Sequence, residues 1–124
     1  MCLRFKIVGD WVLDKNTGLF WLRRPPPRTT YTFREANVFA ERINGRLPTI
    51  KEFVSLFDYS EYNPALPKDH KFIDIQCSYY WTGVSCADAK SQVWCISMRY
   101  GTIHGTASYG YNHVWPVKES LPSA

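Results

Sequence analysis

No stretch of this sequence stays apolar for the ~18 residues that a membrane-spanning helix needs. Membrane insertion is therefore not expected. The N-terminus lacks a basic region followed by an apolar core, so no signal peptide is expected there. No basic run is longer than Arg23-Arg24, and the net charge is only +4. That balance favours anionic partners but does not suggest a nucleic acid partner. Close cysteine pairs of the C-x2-4-C kind are missing too. Cys77, Cys86 and Cys95 are evenly spaced, with His104 following at the same interval. Structural zinc favours close pairs, so no metal is expected. With Cys2 the count is four, which permits two disulfides without naming them.

Catalytic signatures are absent as well. His70, His104 and His113 offer bases on paper, but no nucleophile elbow or His-Glu-x-x-His surrounds them. Gly101, Gly105 and Gly110 are not followed by a helical pattern, so they read as turns and not as a phosphate loop. No catalytic residue and no cofactor are assigned, and the expectation is a protein that is not an enzyme.

What the chain does have is aromatic residues, 16% of the sequence, with five Trp and eight Tyr among 124 residues. That abundance suits a β-rich core, a contact surface, or both. Hydrophobic residues make up 45% and charged residues 21%, as in a globular protein. The length suits one domain, 1–124.

Residues 5–22 read as one β-hairpin turning at Asp14-Lys15-Asn16-Thr17-Gly18. Pro25-Pro26-Pro27 cannot feed a sheet and reads as a stiff extended connector. From Thr32 to Ile43 the pattern is helical. Thr32 and Glu35 form a capping box, Phe33, Ala36, Phe39, Ala40 and Ile43 share a face, and Asn44-Gly45 stops the helix. Thr49 and Glu52 form a second capping box behind Pro48, opening a short helix with Phe53, Leu56 and Phe57 on its apolar side. The second half reads as strands: 79–85, then 93–100, then 113–117, with a glycine- and aromatic-rich loop from Thr102 to Asn112. Both termini feed strands that are expected to lie side by side. The class is α+β, with an N-terminal β-hairpin, two short helices, then antiparallel strands and long loops.

Several motifs recur in a known order. They are 14–21 with Gly18 and Trp21; Ala36; Gly45-Arg46-Leu47-Pro48-Thr49-Ile50-Lys51-Glu52-Phe53; Asn63-Pro64-Ala65; Tyr80-Trp81-Thr82; Val93-Trp94-Cys95-Ile96 with Gly101; and 114–118. Together they resemble the domain family named after the C-terminal domain of the Legionella collagen-like adhesin, over about residues 10–118. The resemblance implies a C-type-lectin-like fold and an extracytoplasmic binding or adhesion module. It departs in two places: no Trp stands before Arg46, and Lys118 stands where an arginine is usual. Glu-Pro-Asn and Trp-Asn-Asp triplets, the calcium–sugar signatures of true C-type lectins, are missing, which argues against calcium-dependent sugar binding.

The candidate contact residues are Arg99, His104, Tyr109, Tyr111, Asn112 and His113. Tyr supplies rigid contact area, and glycine and small residues supply adaptability. The expected partner is an anionic or sulfated polysaccharide, or a protein surface. The alternative is an assembly domain whose aromatic loop buries in a homo- or hetero-oligomer.

Overall fold

A computed structural model describes residues 3–87 and 89–121. It is α+β, with two short helices and two antiparallel sheets. The first sheet holds β1 (Phe5–Val8), β2 (Trp11–Asp14), β3 (Leu19–Leu22) and the C-terminal β7 (Val117–Lys118) in the order β1-β2-β3-β7. The second holds β4 (Tyr79–Cys86), β5 (Ala89–Ser97) and β6 (Thr102–Ala107) in the order β4-β5-β6. Between the sheets in sequence lie α1 (Phe33–Arg42) and α2 (Ile50–Leu56).

Both capping boxes form. Thr32 and Thr49 accept from the N–H three residues on, and Glu35 and Glu52 reach back to the cap N–H. Each motif acts within one turn of chain, so no distant contact is needed to close it.

Five expectations change. The N-terminal segment is a three-stranded meander, because Gly9, at φ +61, turns the chain a first time before the turn at Gly18. Strand 93–100 ends at Ser97, and the chain turns through 98–101, leaving Tyr100 exposed. Thr102–Ala107 is a strand and not a loop: it pairs with β5 from Ser97↔Thr102 to Gln92↔Ala107. Finally, residues 113–116 make only an isolated bridge, and the last strand is the two-residue β7, paired with β3. The terminal strands therefore lie at opposite edges of the first sheet, not side by side.

The second sheet is packed on both faces. Tyr80 and Ile96 join one core with Val12, Trp21, Phe53, Trp115 and Val117. There Trp21 meets Phe53 and Trp115 at 5.3 Å each. Trp81 and Val93 join the other core with Ala36, Ala40, Leu47 and Val114. Trp81 also donates its indole N–H to the Tyr31 carbonyl at 2.6 Å, holding the segment before α1 over the sheet. This cover stops short of the Tyr79–Thr102 end, where the surface opens.

Candidate binding groove

Strand register decides which side chains meet at that opening. Tyr79, Ser97 and Thr102 stand in one row across the sheet, and Trp81, Cys95 and His104 in the next row on the same face. Trp81 and Cys95 are buried, whereas Tyr79 and His104 reach the surface. The Tyr79 and His104 rings meet edge to face at 5.2 Å, and the Thr102 hydroxyl is 2.8 Å from His104 Nε2.

Two depressions flank this ring pair. One, of about 300 Å³, is lined by Ser78, Tyr79, Arg99, Tyr100, Thr102 and His104 among others. The other, of about 230 Å³, is lined by Tyr79, Cys95, His104, Gly105, Thr106 and Asn112. Because they share Tyr79 and His104, they form two compartments of one groove. The Arg99 guanidinium lies over the Tyr100 ring at 5.2 Å, and Tyr100 stacks on Tyr62 at 6.4 Å. Arg99 has no carboxylate partner among the described residues. The first compartment therefore presents an unanswered positive charge, two exposed aromatic rings and hydroxyl groups.

The six sequence-derived candidates do not form one patch. Arg99 and His104 line the first compartment, and His104 and Asn112 the second. Tyr109 and Tyr111 line neither. They project from the connection after β6 and are 77% and 67% exposed. His113 is buried, its ring 5.3 Å from Tyr80, and its Nδ1 has no hydrogen-bond partner. Burial holds the His113 pKa below its ordinary 6.5, with the Pro26 carbonyl pulling the other way. Tyr79, Tyr100, Tyr62 and Thr102 were not among the candidates. Only the pairing of β6 with β5 brings Thr102 beside Tyr79, and no local pattern announces it.

Arg46, Leu47, Pro48, Thr49 and Glu52 form structure and not groove. Arg46 holds Glu52 through two contacts of 2.8 and 2.7 Å and Glu119 at 2.9 Å, and its backbone bridges to Val117. Gly45 sits where an added Cβ would come 3.1 Å from the Val117 carbonyl. Lys118 lies over the Trp11 ring at 4.4 Å. Trp94 is half-buried and pairs with Gly105. Cys77, Cys86 and Cys95 are free thiols, and no cluster of three metal-ligating side chains occurs among the described residues. Cys2 lies outside the described residues, so any pairing that involves it does too.

The sequence profile of the Lcl C-terminal domain matches residues 10–118, and the chain belongs to that family. Among curated proteins, none matches the chain at a significant level.

Proposed function

We propose that this member of the Lcl C-terminal domain family is a non-enzymatic recognition module, of C-type-lectin-like fold, that binds an anionic glycan in the Tyr79–His104 groove without calcium. The observation that carries the reading is the unpaired Arg99 guanidinium set beside Tyr79, Tyr100 and Thr102 in a 300 Å³ depression. A sugar ring stacks its apolar face on tyrosine, its sulfate or carboxylate pairs with Arg99, and Thr102 and Ser78 serve its hydroxyls. Extracytoplasmic placement fits such a role. The test is binding to sulfated and neutral polysaccharides over a salt series, repeated with a chelator. Binding confined to the sulfated members, weakened by salt and indifferent to the chelator, is expected. Arg99→Gln and Tyr79→Ala lower it at least tenfold, and Tyr109→Ala/Tyr111→Ala leaves it. Equal binding of the neutral members overturns the assignment.

A second reading, an assembly domain, is favoured by a different observation. β6 is an edge strand with no charged residue, and Tyr109 and Tyr111 lie exposed just beyond it. Uncharged edges are templates for pairing with another chain. Under that reading the Tyr109/Tyr111 variant changes the sedimentation behaviour and no glycan binds.

A further inference from the structure

A second depression, with largely apolar walls, shares no residue with the groove. It lies between the β1–β2 turn, the end of β3, the C-terminal half of α1 and the segment at Ile73. Its volume is about 420 Å³, within the range of small-ligand sites. Leu22, Phe39, Ile43 and Ile73 supply apolar walls, and Arg23 and Arg24 supply charge. The two arginines differ. Arg24 donates to Asp74 at 2.8 Å, so its charge is answered. Arg23 forms no ion pair among the described residues, and its Nε is buried without a hydrogen-bond partner.

Arg23 is also held in place. Its N–H donates to the Asp10 carbonyl and its own carbonyl accepts from the Ile73 N–H, both at 2.9 Å. The chain thus pins the base of this side chain from both sides and spends its charge on nothing. The Asp10 side chain borders the same cleft but is exposed, where water and salt weaken its opposition.

We propose that this cleft binds an amphipathic monoanion: a carboxylate carrying an alkyl or aryl tail. The tail packs on Leu22, Phe39, Ile43 and Ile73, and the carboxylate pairs with Arg23. Arg23 has no carboxylate partner among the described residues, and a ligand carboxylate in the cleft answers its charge. A neutral amphiphile of the same length satisfies the walls alone. A small inorganic anion satisfies Arg23 alone.

The probes are octanoate, decanoate and decan-1-ol, each below its micelle or solubility limit, titrated into the labelled chain and followed by amide and methyl NMR shifts. Decanoate is expected to shift Leu22, Arg23, Ile43 and Ile73 and to bind about tenfold more tightly than octanoate, since each buried methylene adds roughly a factor of four at most. Decanol binds at least tenfold more weakly than decanoate. Arg23→Gln removes that advantage, bringing the two ten-carbon probes to similar affinity, whereas Arg23→Lys keeps part of it. Ile73→Trp, at a partly exposed site, fills the cleft and abolishes binding of both with the fold intact. Equal affinity for decanoate and decanol in the unmodified chain overturns the proposal. So do shifts confined to other residues, or unchanged decanoate binding in folded Arg23→Gln.

Discussion

Replacing Glu52 by Gln separates two roles that one carboxylate performs. Glu52 Oε1 accepts from the Thr49 N–H at 2.8 Å, closing the N-terminus of α2. The same oxygen and its partner accept from Arg46 Nη1 and Nη2 at 2.8 and 2.7 Å. Gln keeps an oxygen for the cap and loses the charge that Arg46 answers. Arg46 is 38% exposed and Glu52 19%, so the pair is worth more than a surface bridge and much less than a buried one. The expected cost of Glu52→Gln is about 1 kcal/mol. Glu52→Ala also removes the reciprocal half of the capping box, leaving the Thr49 hydroxyl on the N–H of residue 52, and costs about 2 kcal/mol, a fall in Tm of about 8 °C for a chain of this length. Glu119, 73% exposed, adds almost nothing, and Glu119→Gln stays within about 0.5 kcal/mol of the parent.

The assay is urea unfolding followed by tryptophan fluorescence, run as a cycle of Arg46→Met, Glu52→Gln and the double variant. Coupling of about 1 kcal/mol is expected at pH 7. It must also vanish with acid. Burial alone would raise the Glu52 pKa, yet the hydrogen bonds from Arg46 and the Thr49 N–H hold it below its ordinary 4.5. A depressed carboxyl pKa gives stability that is complete above the unfolded value and lost as pH falls through the folded one. The advantage of the parent over Glu52→Gln should therefore be flat above pH 5, shrink below 4.5 and disappear in stronger acid. Coupling under about 0.3 kcal/mol at pH 7, or a difference that survives full protonation, would refute the assignment of the ion pair.

Three other perturbations test different parts of the molecule. Arg4 makes two 2.8 Å contacts with Asp14, whose side chain is fully buried, so Arg4→Met strands a buried carboxylate and should cost about 3 kcal/mol in the same urea assay. Gly101 has φ +74, and an added Cβ would stand 2.8 Å from the Tyr59 ring, whose hydroxyl donates to the Gly101 carbonyl. Gly101→Ala should therefore cost about 2–3 kcal/mol and release Tyr59, read as faster amide exchange around 98–102. Cys77 is exposed, whereas Cys86 and Cys95 are buried, and burial followed by the nearby Cys86 pushes the Cys95 thiol up to about 11. At pH 8 iodoacetamide should modify Cys77 well before Cys86 or Cys95 in peptide mapping of the folded chain, and early loss of Cys95 would contradict its burial.

What could be read from the sequence was what a few neighbouring residues decide among themselves. The capping boxes at Thr32 and Thr49 and the turn at Gly18 need no distant partner, and each stands as expected. β6 was missed because Gly105 interrupts its alternation and because its hydrogen bonds come from β5 across the 98–101 turn. A strand of this kind is made by its partner more than by its own residues. The groove was missed in the same way: Arg99 and His104 could be suspected singly, but Tyr79 and Tyr100 join them only through register and a turn. Local composition instead drew attention to Tyr109 and Tyr111, which stand outside both compartments.

That division bears on how the family should be read. Many of the motif residues that carry the resemblance are turns, caps and inward rings, among them Gly18, Trp21, Arg46, Thr49, Glu52 and Trp81. None of them lines the Tyr79–His104 groove. Arg99, Tyr79, Thr102 and His104 lie outside the motifs, on a sheet end that α1 leaves uncovered. Their identity can change without breaking a cap or emptying a core, because their contacts are with one another and with solvent. The family match spans scaffold and groove alike, so the chemistry of the groove has to be measured on this chain. Replacing Arg99 by Gln and Tyr79 by Ala together should leave the unfolding free energy within about 0.5 kcal/mol of the parent while removing the proposed glycan binding. A large loss of stability in that variant would mean that the groove is part of the scaffold after all.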